Sequence, residues 1–236
     1  MTAAKSPKSR SPKPKGKGKA AAKPKAAATK VKKAAKRVAR ADQAVTHQAA
    51  RFRDRPWMKV IAGLLEGADQ PPLIIASAGT LAVGLLARRG DLARGGARML
   101  ASHLVATGAK LVVKHQFDRA RPGEAIAHGA HFAKGDEGGH EDKSFPSGHT
   151  AGAVAVARAA SHEIDGAAIP ATIATVAVAA GQAPAGNHYL SDVFAGAVIG
   201  WASEAVVGAV FDRFEPHAAR AERSSERDRE GRPASA

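Results

Sequence analysis

The sequence predicts an all-α membrane helical bundle of about five to six helices, preceded by a disordered basic N-terminal tail. Three observations carry that prediction. The hydrophobic fraction of 44% is mostly Ala and Val, with only 4% aromatic residues, a composition suited to closely packed helices. Apolar residues gather in five long blocks dense in Gly and Ala, the small residues that membrane helix interfaces prefer. Charge is segregated as well: residues 1–40 hold 12 Lys and 3 Arg without one acid, and the other 196 residues balance 21 basic against 21 acidic groups. The net charge of +15 therefore belongs to the tail.

In chain order, three regions are expected: a tail over 1–45, a membrane-embedded domain over 46–211 and a charged C-terminal tail over 212–236. The Lys/Ala/Pro run lacks an apolar period and cannot bury enough surface to offset its ordering entropy, so it is expected to be disordered. It acts by charge alone or on anionic lipid headgroups, where each cation contributes ~1 kcal/mol before screening. Nucleic acid is the less favoured partner, since no aromatic residue for base stacking stands among the lysines. A secretory signal is not expected, because no apolar segment promptly follows the basic stretch.

Trp57, Val60, Ile61, Leu64 and Leu65 fall at helical spacing in a short amphipathic helix ended by Gly67 and Asp69. It either lies in the interface, with the tail on the side of the polar loops, or crosses with help from its flanks, with the tail cytoplasmic; the second is expected. The five blocks follow. Pro72–Ala87 has no charge, Met99–Val113 only Lys110 besides His103, and Thr150–Ala160 only Arg158. Ala167–Ala180 has none and Val193–Val210 only Glu204. A span takes ~20 apolar residues, so single blocks are marginal, but five together fit a soluble Ala-rich bundle poorly. Arg88, Arg89, Arg94 and Arg98, opposed only by Asp91, mark a cytoplasmic loop in a multi-pass cell-membrane protein. The loops 114–148 and 182–190 then face the extracytoplasmic side. The C-terminal tail carries six Arg and six acids from Asp212 onward and reads as solvated. With no cysteine, disulfides, thiol nucleophiles and Cys-based metal centres are excluded.

Three polar clusters adjoin the apolar blocks: Lys114-x6-Arg121-Pro122, then Ser144-Phe145-Pro146-Ser147-Gly148-His149, then Asn187-His188-Tyr189-Leu190-Ser191-Asp192. Lys114 and Arg121 bring two cations together, and Arg can grip two oxygens of a phosphate. Pro146-Ser147-Gly148 opens a helix whose free N–H groups cradle an anion, with His149 in the first turn. His188 and Asp192 stand at i, i+4, so a helix starting near Tyr189 lets the carboxylate orient the imidazole. Two histidines, one oriented and one beside an anion site, suit phosphoryl transfer through histidine. His128, His131 and His140 have no regular metal-binding spacing and read as loop residues, solvated or lining an entrance.

Over roughly residues 57–211 these motifs resemble the type 2 phosphatidic acid phosphatase superfamily, whose pattern is Lys-x6-Arg-Pro, Pro-Ser-Gly-His and Ser-Arg-x5-His-x3-Asp. The resemblance implies an integral membrane phosphatase acting on a lipid phosphomonoester or pyrophosphate, such as phosphatidic acid, phosphatidylglycerol phosphate or polyprenyl pyrophosphate. It implies His188 as nucleophile, Asp192 as its orienting group and His149 as general acid and base. It implies Lys114, Arg121, Ser147, Gly148 and the residue at 182 as holders of the phosphate, with no metal and no cofactor. The third motif departs from the pattern: Gly181-Gln182 stands where the family has Ser-Arg. Losing that charge-assisted contact would cost roughly 2–5 kcal/mol of transition-state binding, about 30- to 4000-fold in rate. Lys143 is the better candidate for compensation; Arg158 lies nine residues past His149, ~13 Å along a helix. The alternatives are a catalytically weakened lipid-phosphate binder, a membrane tether working through its tail, and, least favoured, a soluble acid phosphatase.

Overall fold

A computed structural model of the chain describes residues 22–128, 132–134 and 143–214. It divides into two units, Met1–Ala41 and Asp42–Ala236. Helix α1 (Ala22–Ala50) begins inside the segment expected to be disordered. Ala and Lys are strong helix formers, and past Pro24 nothing interrupts them. Its last turns, from Asp42 onward, belong to the second unit, where Asp42 and Thr46 are buried.

The second unit is helical, as the sequence predicts. It continues through α2 (Pro56–Glu66), α3 (Gln70–Leu86), α4 (Gly90–Lys114), α5 (Pro122–His128), α6 (Gly148–Glu163), α7 (Ala168–Gly181) and α8 (Leu190–Arg213). Between α4 and α6 the sequence reading lacks one feature, an antiparallel pair of three-residue strands, β1 (Phe117–Arg119) and β2 (Phe132–Lys134). Helices α3, α4, α6, α7 and α8 fall on the five expected apolar blocks, with ends shifted by one to three residues except at the start of α4, which begins nine residues before its block. α3 starts at an Asp69 N-cap followed by prolines in the first turn, where a missing N–H costs nothing. It stops where Arg88 turns left-handed, at φ 54°, and the Arg89 N–H reaches back to the Gly84 carbonyl at 2.8 Å.

Five helices, α3, α4, α6, α7 and α8, pack together, and they do so through small residues. A Cβ on Gly96 of α4 would lie 2.2 Å from the Leu81 nitrogen of α3, so the two backbones touch there. The buried apolar residues of α6 are Ala151, Ala153, Ala155, Val156, Ala159 and Ala160. The large ones face outward: Ile75, Val83 and Leu86 on α3, Ile169 and Ile173 on α7, Phe194, Trp201 and Val206 on α8. Among the described residues, α8 is the one helix both long and apolar enough to cross a membrane by length and composition; α3 and α7 are shorter apolar helices.

One expectation about charge needs correction. Arg94 and Arg98 do not sit in a loop but inside α4. Arg98 Nη1 pairs with Glu163 at 2.7 Å and its Nε with Glu204 at 3.0 Å, and Arg94 Nε joins Glu163 at 2.8 Å. Arg158 holds the second oxygen of Glu204, also at 3.0 Å. The connection itself keeps Arg88 and Arg89, with Arg89 on Asp91. Helix α2 has eleven residues and spans only ~16 Å. Before its start, Arg53 packs against Gly123 and Gly186; near its end, Leu65 packs against Gly181. Both flanks thus lie at the end of the bundle where α7 finishes and α8 begins.

Candidate active site

The C-terminus of α4 and the N-termini of α6 and α8 converge on a cavity of about 500 Å³. Lys114 ends α4, and its ammonium donates to the Lys143 carbonyl at 2.9 Å. Lys143 in turn stands 3.4 Å from Asp118 on β1. Ser147 is the N-cap of α6, its hydroxyl accepting from the Thr150 N–H at 3.4 Å. That cap leaves the first N–H groups of the helix pointing into the cavity beside Gly148 and His149. Tyr189 caps α8, and Asp192 in its first turn accepts the Tyr189 N–H at 2.9 Å.

Of the residues singled out in the sequence, Lys114, Arg121, Gly148, His149 and His188 line this one cavity, together with Lys143. Ser147, Asp192 and Gln182 do not; all three are fully buried behind its wall. The rings of His149 and His188 meet edge to face, 6.1 Å apart between centroids. His188 Nδ1 lies 2.8 Å from the Ser144 carbonyl, and 3.9 Å from Asp192 Oδ2. A carbonyl can only accept, so Nδ1 carries the hydrogen and the lone pair is on Nε2. The direct partner of the imidazole is thus Ser144, not Asp192. The Asp192 carboxylate acts one step back: it accepts the Ser144 hydroxyl at 2.6 Å and the guanidinium of Arg119. Burial pushes the His188 imidazole well below its ordinary pKa, with Arg121, Lys114 and His149 acting in the same direction and the Ser144 carbonyl opposing them.

Gln182 is 0% exposed, and its amide Nε2 turns back to the Val178 carbonyl at 3.3 Å. Its backbone carbonyl accepts the Asn187 and His188 N–H groups at 3.1 and 3.4 Å, which fixes the loop before α8. His128 closes α5, and His131 and His140 lie outside the described residues. Sequence reasoning missed the support of Asp192. Arg119 bridges Asp192 and Asp42, stacks on the Tyr189 ring at 3.9 Å, and donates to Ser191 at 2.7 Å. Asp42 also accepts the Ser191 N–H at 3.1 Å, capping α8 from α1. Arg119 stands within the spacing of the first motif and was open to notice; Asp42, 149 positions from Ser191, carried no local signal.

Residues 95–215, which contain all three motifs, match the family model described as the PAP2 superfamily. The chain belongs to the PAP2 superfamily. Its fold is similar to the crystal structure of a transmembrane PAP2 type phosphatidylglycerolphosphate phosphatase from Bacillus subtilis. The TM-score is 0.54 at 20% identity, covering 75% of this chain and 88% of that one. No curated protein sequence matches the chain significantly. Within the PAP2 frame, the cavity contains the cations of the first motif and both histidines, and lacks a side chain from position 182.

Proposed function

We propose that the protein is a multi-pass membrane phosphatase that hydrolyses a lipid phosphomonoester or pyrophosphate through a phosphohistidine on His188. The observation that carries this reading is the setting of His188: buried, its Nδ1 on a backbone carbonyl that can only accept, which leaves the lone pair on Nε2, and its ring 6.1 Å from that of His149. Such an imidazole is a nucleophile without prior deprotonation. Nε2 attacks phosphorus in line with the leaving oxygen; the P–O bond breaks as His149 gives that oxygen its proton. Water then attacks the phosphohistidine, His149 takes a proton from it, the N–P bond breaks and inorganic phosphate leaves. Lys114, Arg121 and the N–H groups at Gly148 hold the non-bridging oxygens while charge builds on them. Each step is accounted for by these side chains without a metal.

The membrane reading rests on the inverted packing. A water-soluble bundle buries its Leu, Ile and Phe; this one buries Ala, Gly and Ser and turns its large apolar side chains outward on α3, α7 and α8. With α2 lying along one end, five helices cross. Arg88 and Arg89 are what remains to hold the opposite end to the cytoplasm, with the site extracytoplasmic. Candidate substrates are phosphatidic acid, phosphatidylglycerol phosphate and polyprenyl pyrophosphate; the Bacillus subtilis neighbour's printed activity adds weight to the second. One observation favours a second reading, a lipid-phosphate binder with weakened turnover: Gln182 offers the cavity nothing.

The deciding experiment is phosphate release by the detergent-purified protein from each of the three lipids, with EDTA and with His188→Ala in parallel. Release that survives chelation and vanishes in the variant is expected. Activity retained by His188→Ala, or lost to EDTA, overturns the mechanism; no release from a folded protein favours the binder.

A further inference from the structure

The cavity wall holds a cation that no motif accounts for. Lys110 stands one turn before Lys114, so both project from the same face of α4 into the same cavity. The other lysines there are held: Lys114 by the Lys143 carbonyl, and Lys143 beside Asp118. Lys110 makes no hydrogen bond and no ion pair among the described residues. Its end lies across the first residue of α6: a Cβ built on Gly148 would meet the Lys110 ammonium at 2.9 Å and its Cδ at 3.3 Å. The bare face of Gly148 is what lets that ammonium settle over the helix N-terminus, where the phosphate oxygens of a substrate would lie. Asp69, the N-cap of α3, faces the same mouth 3.9 Å from His149, largely solvated. It does not neutralise Lys110 by contact.

Position 182 supplies the other half of the argument. The family's arginine is replaced by a glutamine that is buried, bonded to its own helix and absent from the cavity lining. A dianionic phosphate is thus short of one cation from the α7–α8 side, and α4 presents one extra.

We propose that Lys110 replaces the missing arginine, its ammonium binding a non-bridging oxygen of the phosphate over Gly148. The inference rests on the phosphatase reading above and deepens it. It makes α4 the source of two phosphate contacts, Lys110 and Lys114, and explains how activity survives Gln182. An ammonium is a point charge without the forked grip of a guanidinium, so an arginine at 110 serves the same role and a neutral side chain does not.

The test uses the full-length protein in detergent, with Lys110→Met, Lys110→Gln and Lys110→Arg, and His188→Ala as the reference for lost chemistry. Two readouts are taken, kcat/KM on the best lipid and the inhibition constant of inorganic phosphate. Removing one charged donor is expected to lower kcat/KM by about 100- to 1000-fold in both neutral variants. Phosphate inhibition weakens by at least about tenfold alongside, and Lys110→Arg stays within about fivefold of wild type on both. A melting temperature unchanged within a few degrees excludes collapse of α4. Neutral variants within about threefold of wild type, beside an inactive His188→Ala, overturn the role of Lys110 and leave the phosphatase reading standing. If the wild-type protein hydrolyses none of the lipids, binding of inorganic phosphate by 31P NMR decides instead. Equal binding by wild type and Lys110→Met then refutes the proposal.

Discussion

His188 is held in one protonation state by its surroundings more than by a carboxylate. The Ser144 carbonyl fixes which nitrogen bears hydrogen, and burial, with the Arg121 and Lys114 cations close by, opposes a second proton on the ring. An imidazole whose pKa is lowered in the folded protein stays neutral as pH falls through ~6.5, where a free histidine becomes charged. The attacking lone pair is therefore expected to persist at pH 6. Nitrogen chemical shifts of 15N-histidine protein, assigned with His188→Asn, should show one neutral Nδ1–H tautomer for His188 from pH 8 to pH 6. A titration centred at or above 6.5 would sink this account. The same shift means that unfolding takes up a proton at this residue below pH 6.5, so mild acid weakens the fold while the attacking lone pair persists. The carbonyl on His188 and the hydroxyl on Asp192 both belong to Ser144, which opens the second polar cluster of the sequence. The sequence made both histidines and Asp192 legible, since their order and spacing are local. It named Ser144 without its role and did not make the rest of the support legible, because Arg119 and Asp42 come from two other elements that only the fold assembles.

Helix α8 fixes the height of α6, and with it the anion cradle. Gly196 and Gly200, four residues apart, face the first turns of α6; a Cβ on either would lie 2.4 Å from a carbonyl, that of Ser147 or of Ala151. Both carbonyls are backbone and cannot swing aside, so a methyl group must lift α6 off α8. Gly196→Ala is expected to reduce kcat at least tenfold by moving the Ser147–His149 turn against His188, with helical content preserved. Gly79→Ala on α3, where nothing lies within 4 Å, should instead leave activity unchanged and stabilise by about 0.5–1 kcal/mol through helix propensity alone. Activity measurements and thermal melts in detergent check the pair; equal activity in the two variants would refute the packing argument. The helix cores were readable from apolar blocks, Pro starts and Gly ends. The N-terminal half of α4 was not. Arg94 and Arg98 look like a loop in sequence because their partners, Glu163 and Glu204, stand on α6 and α8, 65 and 106 residues from Arg98.

At the scale of the whole molecule, the charge separates into two ends. One end carries the cavity; the other carries the Arg94, Arg98, Arg158, Glu163, Glu204 cluster, in which Arg98 and both glutamates are buried. Taking these charges out of water is expensive unless each is paired, and here each is, so the cluster locks α4, α6 and α8 together without contributing to the chemistry. Its neutralisation halves the arginine count that suggested a cytoplasmic loop. The cavity end, meanwhile, is where the chain from the basic tail arrives. Asp42 is bonded to Arg119 and Ser191 there, and Arg53 packs on Gly123 and Gly186 at the same end. A helix of eleven residues between Pro56 and Glu66 then leaves no crossing before α3. Residue 51 and the cavity mouth should accordingly lie on one face of the membrane and residue 88 on the other. The absence of cysteine makes this directly measurable, because each introduced thiol is unique. Arg51→Cys and Asp69→Cys are expected to react together with a maleimide that cannot cross the membrane, and Arg88→Cys only when that reagent is given the opposite face. Labelling of Arg51→Cys together with Arg88→Cys would mean that α2 crosses after all.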